Sequence, residues 1–374
     1  IGLLGGVAAG VFSQFGINLD WWVYSLIAIL LVGILGYRQV DLSAKVMVVL
    51  VGLAYLIVLI VDFAILGAGG AEGTGLAVNI FDFSALTSGS LTAAVLFCLG
   101  SFIGIEATTI YGEEAKDPAR TIPRATYLSI LMIGVFFVFT TWLMIAGTGA
   151  DKLIETIAGL TLPDGTPDPT IHFFMLAEIY TNPTIAMIAG LLLVSSLFAA
   201  LSAFHNYIAR YSYVAGRDGL LPEAFGRTHD AHQSPHIGSV VQSIGALIVL
   251  AVFAGLGLDP ILNMFTWISQ IGTLGVIGMM AITSLSVIAF FAKQGGGSAL
   301  STKILPAISG LIMAALFVYI FVTYGDLTGT AGGGLSVILP ALIPAGGLIG
   351  FLLAQRLKSS DPARFARMGM NLPE

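Results

Sequence analysis

The sequence predicts an all-α polytopic membrane protein, and three observations lead there. Hydrophobic residues fill 57% of its 374 positions and charged residues only 10%, against about 25% charged in an ordinary soluble domain. The apolar residues come in runs of roughly 20, the length that crosses a bilayer as a helix. The basic residues then fall almost entirely on one side of those runs. A soluble globule of this size has no way to hide so much apolar surface.

Ten spans are expected, the first shortened, at residues 1–15, 21–36, 46–66, 91–111, 126–146, 184–209, 237–256, 261–291, 304–324 and 335–357. No soluble domain is inserted, so the whole chain reads as a single transmembrane domain. The second span opens on Trp21 and Trp22, which with Trp267 are expected as interfacial anchors. The third has no ionisable group between Lys45 and Asp62. The fourth is interrupted by Gly100, Ser101 and Gly104 and then carries Glu106. The sixth carries Ser195, Ser196, Ser202 and His205. The last contains Pro340 and Pro344, which are expected to kink it.

With ten alternating spans, fourteen of the 15 basic residues share one side and Lys152 stands alone on the other. Cations concentrate on the cytoplasmic side of membrane proteins. The loop "GEEAKDPARTIPRAT" and the C-terminus are therefore expected in the cytoplasm, and "LPDGTPDPTIHFF" outside, in a cell (plasma) membrane. The partition also checks the span count, because one missed helix would scramble it.

Composition also excludes some chemistry. The one cysteine, Cys98, rules out an internal disulfide framework and a cysteine-based metal site. "HDAHQSPH" brings His229, His232 and His236 together, but a Pro-containing loop without cysteine is a poor metal site. There is no phosphate-binding Gly loop ending in Lys-Ser/Thr, no H-E-x-x-H and no G-x-S-x-G, so no catalytic constellation appears. Nothing points to nucleic acid. The chain opens "IGLLGGVAAG", without a basic leader, and reads as starting partway through a protein.

The interrupted span carries the functional reading. Unpaired backbone is costly in hydrocarbon and is tolerated only against protein or a wet cavity. Transporters place such breaks at substrate and ion sites near the midplane. Glycines in a membrane helix also serve as packing faces. An ionisable residue such as Glu106 within a span is a functional candidate by default, although close to the span's end it also suits snorkelling or capping.

These residues also carry a resemblance. "SFIGIEATTIYGEEAKDPARTIPRA" resembles the sixth helix and following loop of amino acid permeases of the amino acid, polyamine and organocation (APC) superfamily. "ARYSYVAGRDGLLPEAFGRTH", from Ala209, resembles the loop after that family's eighth helix. The resemblance implies a twelve-helix, leucine-transporter-like fold of two five-helix inverted repeats, here N-terminally truncated, with the spans corresponding to the third to twelfth helices. The first helix, whose Gly-rich break binds a substrate carboxylate in the family, is then absent. Gly100, Ser101, Phe102, Ile103, Gly104 and Phe204 are implied substrate-binding residues, with the carbonyls around Gly100 and Ile103 receiving a substrate ammonium. Phe204 is as easily explained by helix packing.

Glu106, Ser196, Ser202 and His205 are candidates for a coupling ion, proton or sodium, with no other cofactor implied. Proton-coupled relatives use a lysine on the fifth helix, where Ala54 stands here. Serines in membrane helices usually bond their own backbone, and His205 suits a bond to a neighbouring helix as well as a proton relay. The expected function is a secondary active transporter for amino acids or related amines; an ion channel or a non-transporting fragment is the alternative. Channels favour repeated pore signatures or charged rings, and the chain offers one asymmetric broken helix instead.

Overall fold

The computed structural model describes residues 1–38, 44–76, 89–110, 117–162, 165, 167–329 and 333–368. Fifteen α-helices lie among them: α1 (Gly2–Ser13), α2 (Trp21–Tyr37), α3 (Ala44–Ala68), α4 (Leu91–Gly100), α5 (Ala107–Ile110), α6 (Pro118–Thr148), α7 (Leu153–Gly159), α8 (Ile171–Tyr180), α9 (Pro183–Arg217), α10 (His236–Gly255), α11 (Thr266–Gln294), α12 (Leu305–Thr323), α13 (Gly325–Thr328), α14 (Gly334–Ser360) and α15 (Pro362–Arg367). Among the described residues the only β-pairing is two isolated bridges, Ala71 with Gly75 and Thr161 with Pro167.

Among the described residues, seven helices are long and apolar enough to cross a membrane. The other three expected spans correspond to the 12-residue α1, the 17-residue α2 and the interrupted pair α4 and α5. Side chains on the long helices point their apolar groups outward: Leu311 is 73% exposed and Val322 76%. In water such a surface would drive aggregation; in lipid it is the solvated face.

Helix starts follow cap chemistry. Asn182 accepts from the Ile185 amide at 3.1 Å with Pro183 at the first turn of α9, and Ser90 does the same for Ala93 on α4. Proline suits that position because its missing N–H has no partner there anyway. The same rule moves a boundary. The span expected to start at residue 126 is already helical at Pro118, which sits in the first turn after Asp117. Residues 112–116 of the preceding loop lie outside the described residues.

The chain divides into two compact units. The first comprises Ile1–Asp82, Ala107–Met264 and Leu357–Glu374; the second comprises Phe83–Glu106 and Phe265–Arg356. In the first, α1 packs on α2 and α9, α2 on α10, and α3 on α6, α8 and α9. Small residues allow the close approaches: a Cβ at Gly5 would lie 2.5 Å from the Trp21 carbonyl oxygen on α2. The core under α8 is made of Val61, Ile65, Leu143, Leu176 and Ala177.

In the second unit α11 and α12 form the main pair, with α4 packed on both. Its core gathers Leu96, Ile271, Leu274, Ile277, Ile320 and Tyr324. Trp267 belongs to this interior, with the Tyr324 hydroxyl donating to its carbonyl at 3.0 Å, so it is not an interfacial anchor. A π-helical turn, Pro260–Phe265, precedes α11.

Candidate functional site

The interruption foreseen in the fourth span is present. α4 stops at Gly100 and residues 101–106 form turns before α5 starts at Ala107. Bonding through the turns contracts to three-residue spacing: the Phe102 amide donates to Leu99 O, Ile103 to Gly100 O and Ile105 to Phe102 O. The ladder ends at Gly104, whose φ is +114°. Open space surrounds the position a Cβ would take there, so it is the backbone conformation that calls for glycine. The Gly104 amide donates instead to Glu106 Oε2 at 2.7 Å. Glu106 thus closes the break on itself, taking the donor that the helix has released.

Carbonyl accounting follows. Gly100 O already accepts the Ile103 amide at 3.1 Å and retains its second lone pair. The carbonyls of Ser101 and Ile103 receive no amide among the described residues. The Ser101 hydroxyl donates back to Phe97 O at 2.9 Å, which leaves its oxygen as an acceptor. The chain passes from the second unit to the first immediately after Glu106. On the far side, α5 is held to α6 by a 2.7 Å hydrogen bond between the Thr108 and Thr126 hydroxyls.

The sequence reading missed a polar patch beside the break. A Cβ at Gly100 would stand 3.1 Å from Thr273 Oγ1 and 3.7 Å from Gln270 Oε1 of α11. Gln270 is 3% exposed, and Gln270 Oε1 and Ser269 Oγ are both buried without a hydrogen-bond partner. Buried polar groups normally have partners, so the orphaned Gln270 Oε1 beside the break marks a place where an outside donor would be welcome. An amide and a hydroxyl in an apolar run were the available signal.

The remaining candidates lie in the first unit. Phe204 is 40% exposed and meets Tyr207 edge to face, with ring centroids 6.2 Å apart. Ser195 and Ser202 donate to Leu192 O and Phe198 O of their own helix, the back-bonding expected of membrane serines. Ser196 makes no hydrogen bond among the described residues. His205 is 4% exposed and its Nε2 bonds Ser239 Oγ of α10 at 2.7 Å, so it joins two helices. The loop histidines His229 and His232 stack, and both pack on Tyr37, as does His236. No metal-holding group of side chains occurs among the described residues.

The second motif forms a clamp at the end of α9. The Arg364 guanidinium donates through Nη2 to Gly216 O at 3.2 Å and Arg217 O at 2.8 Å, and through Nε to Arg217 O. A cation at a helix C-terminus satisfies carbonyls that lack amide partners and complements the dipole. Gly216 permits the following short 3₁₀ turn to pack back, since a Cβ there would lie 2.5 Å from the Gly226 nitrogen.

Comparison with known proteins agrees with this picture. The amino acid permease family model matches residues 6–360. The low-affinity putrescine importer PlaP of Escherichia coli K12 is 29% identical over 203 residues, 53% of this chain and 41% of PlaP. The branched-chain amino acid permease BcaP of Lactococcus lactis is 26% identical over 195 residues, covering 52% and 37%. The dicarboxylic amino acid permease of Saccharomyces cerevisiae is 25% identical over 319 residues, covering 76% and 49%. The chain spans less than half the length of these three relatives.

Proposed function

The chain belongs to the amino acid permease family, a family of membrane transporters, and on that footing we propose that the whole protein moves amino acids or related amines across the cell membrane by alternating access. The observation that carries the reading is the helix break at residues 101–106. It leaves the carbonyls of Ser101 and Ile103 without amide donors at the end of the apolar helix α4. A half-helix C-terminus carries partial negative charge, which suits an ammonium group. Gln270 Oε1 beside Gly100 adds an acceptor without a partner of its own.

Relatives named for putrescine, branched-chain and dicarboxylic substrates share no side-chain chemistry but all present an amine. An amine-directed main-chain site fits that range. In this proposal Gly100, Ser101, Phe102, Ile103 and Gly104 contact substrate, Phe204 borders it, and Glu106, Ser196, Ser202 and His205 are candidates for the coupling ion. The cytoplasm then lies on the side that carries fourteen of the 15 basic residues, with the C-terminus there.

Counterflow tests the proposal. The full-length protein is placed in vesicles loaded with unlabelled amino acids or putrescine, and entry of a labelled panel is followed. A carrier exchanges the two, giving transient accumulation. Labelled flux that never exceeds equilibrium would favour a channel instead.

A further inference from the structure

Asp62 is a carboxylate that the transport reading does not use, and its surroundings are unlike those of any other acidic residue described. It lies in the membrane-spanning α3 with no exposed surface. Oδ2 accepts the Thr140 hydroxyl of α6 at 2.7 Å. Oδ1 is buried with no hydrogen-bond partner. The side chains packed about this level, Val61, Ile65, Leu143 and Leu176, are all fully buried hydrocarbon.

No cation answers the charge. On α3, Lys45 stands at the opposite end and Tyr55 packs against Phe136 with the rings tilted. On α6, Arg120, Arg124 and Tyr127 lie toward the far end. On α8, His172 is bonded to Thr148 and Tyr180 to Gly147 O, while Glu178 is exposed and of like sign. On α9, His205 is bonded to Ser239, and Tyr207, Arg210, Tyr211, Tyr213 and Arg217 follow it toward the C-terminus. None of these makes an ion pair with Asp62 among the described residues.

An unpaired charge in such a place is expensive, whereas a neutral carboxyl keeps the Thr140 bond and leaves one uncharged O–H without a partner, a smaller cost. Ionisable groups inside membrane helices, moreover, mark ion and proton paths. We propose that Asp62 is a proton-binding site, carrying a dissociable proton on Oδ1 beneath α8. The step is an acid–base exchange with water: an O–H bond forms at Oδ1 as hydronium gives up its proton, and the same proton returns to water when Oδ1 is wetted. Nothing is oxidised or reduced. Proton occupancy stands on the geometry alone; its use to drive substrate rests on the transport reading above.

The test is infrared spectroscopy of the full-length protein in lipid, across neutral pH. The carbonyl stretch of a protonated carboxyl is expected, and Asp62→Asn removes it. Thr140→Val, which keeps the acid but deletes the donor to Oδ2, shifts that band and covers the case in which Asp62→Asn does not fold. If neither variant alters a protonated-carboxyl band, the proposal is overturned. In vesicles, Asp62→Asn is expected to retain counterflow and to lose accumulation driven by a pH gradient. Full pH-driven accumulation by the variant overturns the coupling role. Absence of counterflow from the unaltered protein would count against the transport reading and leave the infrared result standing.

Discussion

Replacing Gly36 by alanine sets two opposing effects against each other. α2 passes α9 so closely at Gly36 that a Cβ would stand 2.5 Å from His205 Cδ2 and 2.6 Å from Nε2. Unstrained carbon contacts are about 3.5–4.0 Å, so the ring must retreat by about 1 Å. It has no room, being 4% exposed, and moving it breaks the 2.7 Å bond to Ser239. Leaving those groups unpaired costs about 1–3 kcal/mol, and forcing a methyl into a packed interface costs about 1–3 kcal/mol. Alanine is the better helix former by at most about 1 kcal/mol. The clash wins, with a net loss of about 1–6 kcal/mol. Thermal unfolding in detergent, followed by tryptophan fluorescence, reads this as a lowered Tm. Placed in a His205→Ala background, where the space is already vacant, Gly36→Ala is expected to cost much less. An unchanged Tm for the single variant, or the same loss in both backgrounds, would refute the reasoning.

Three further outcomes follow from other parts of the structure. Gly104→Ala has room for its methyl but must hold φ at +114°, a strain of about 1–3 kcal/mol, so transport is expected to fall sharply in a protein that still elutes as a folded species; wild-type rates would show that the conformation is not needed. Arg364→Ala removes a charged clamp from the end of α9, costing about 1.5–3 kcal/mol, and proteolysis of the 357–368 segment is expected to accelerate. Arg364→Lys rescues only in part, because an ammonium cannot reproduce the fork. His172 is buried on α8, which is too short to span, and burial pushes its imidazole below the usual value of about 6.5. His172 Nε2 shares a 2.7 Å hydrogen bond with the Thr148 hydroxyl. Between the folded and unfolded values the unfolded state holds more protons, so stability falls as pH drops below about 6.5; His172→Gln is expected to flatten that slope in a Tm-against-pH series.

Much of this was legible in the chain. The break could be read because Gly100, Ser101 and Gly104 interrupt an apolar run, and a local irregularity leaves a local signature. Ser195 and Ser202 were likewise readable, since back-bonding needs only a carbonyl on their own helix. Partnerships between distant residues were not. Thr140 completes the environment of Asp62, and Ser239 that of His205, through packing that no periodicity announces. Gln270 and Thr273 looked like ordinary polar residues until α11 was seen beside Gly100. Trp267 was misplaced because its burial and its contact with Tyr324 come from packing between residues distant in sequence.

The most direct test of the account asks whether the break faces a wet cavity that substrate fills. With every native cysteine of the full-length protein, Cys98 among them, replaced by serine, Ser101→Cys supplies a single thiol. A charged, membrane-impermeant thiol reagent is then applied to vesicles with and without transported substrate. The account predicts that the introduced thiol reacts and that substrate slows the reaction. A thiol that never reacts from either side, or reacts at the same rate with saturating substrate, would contradict it.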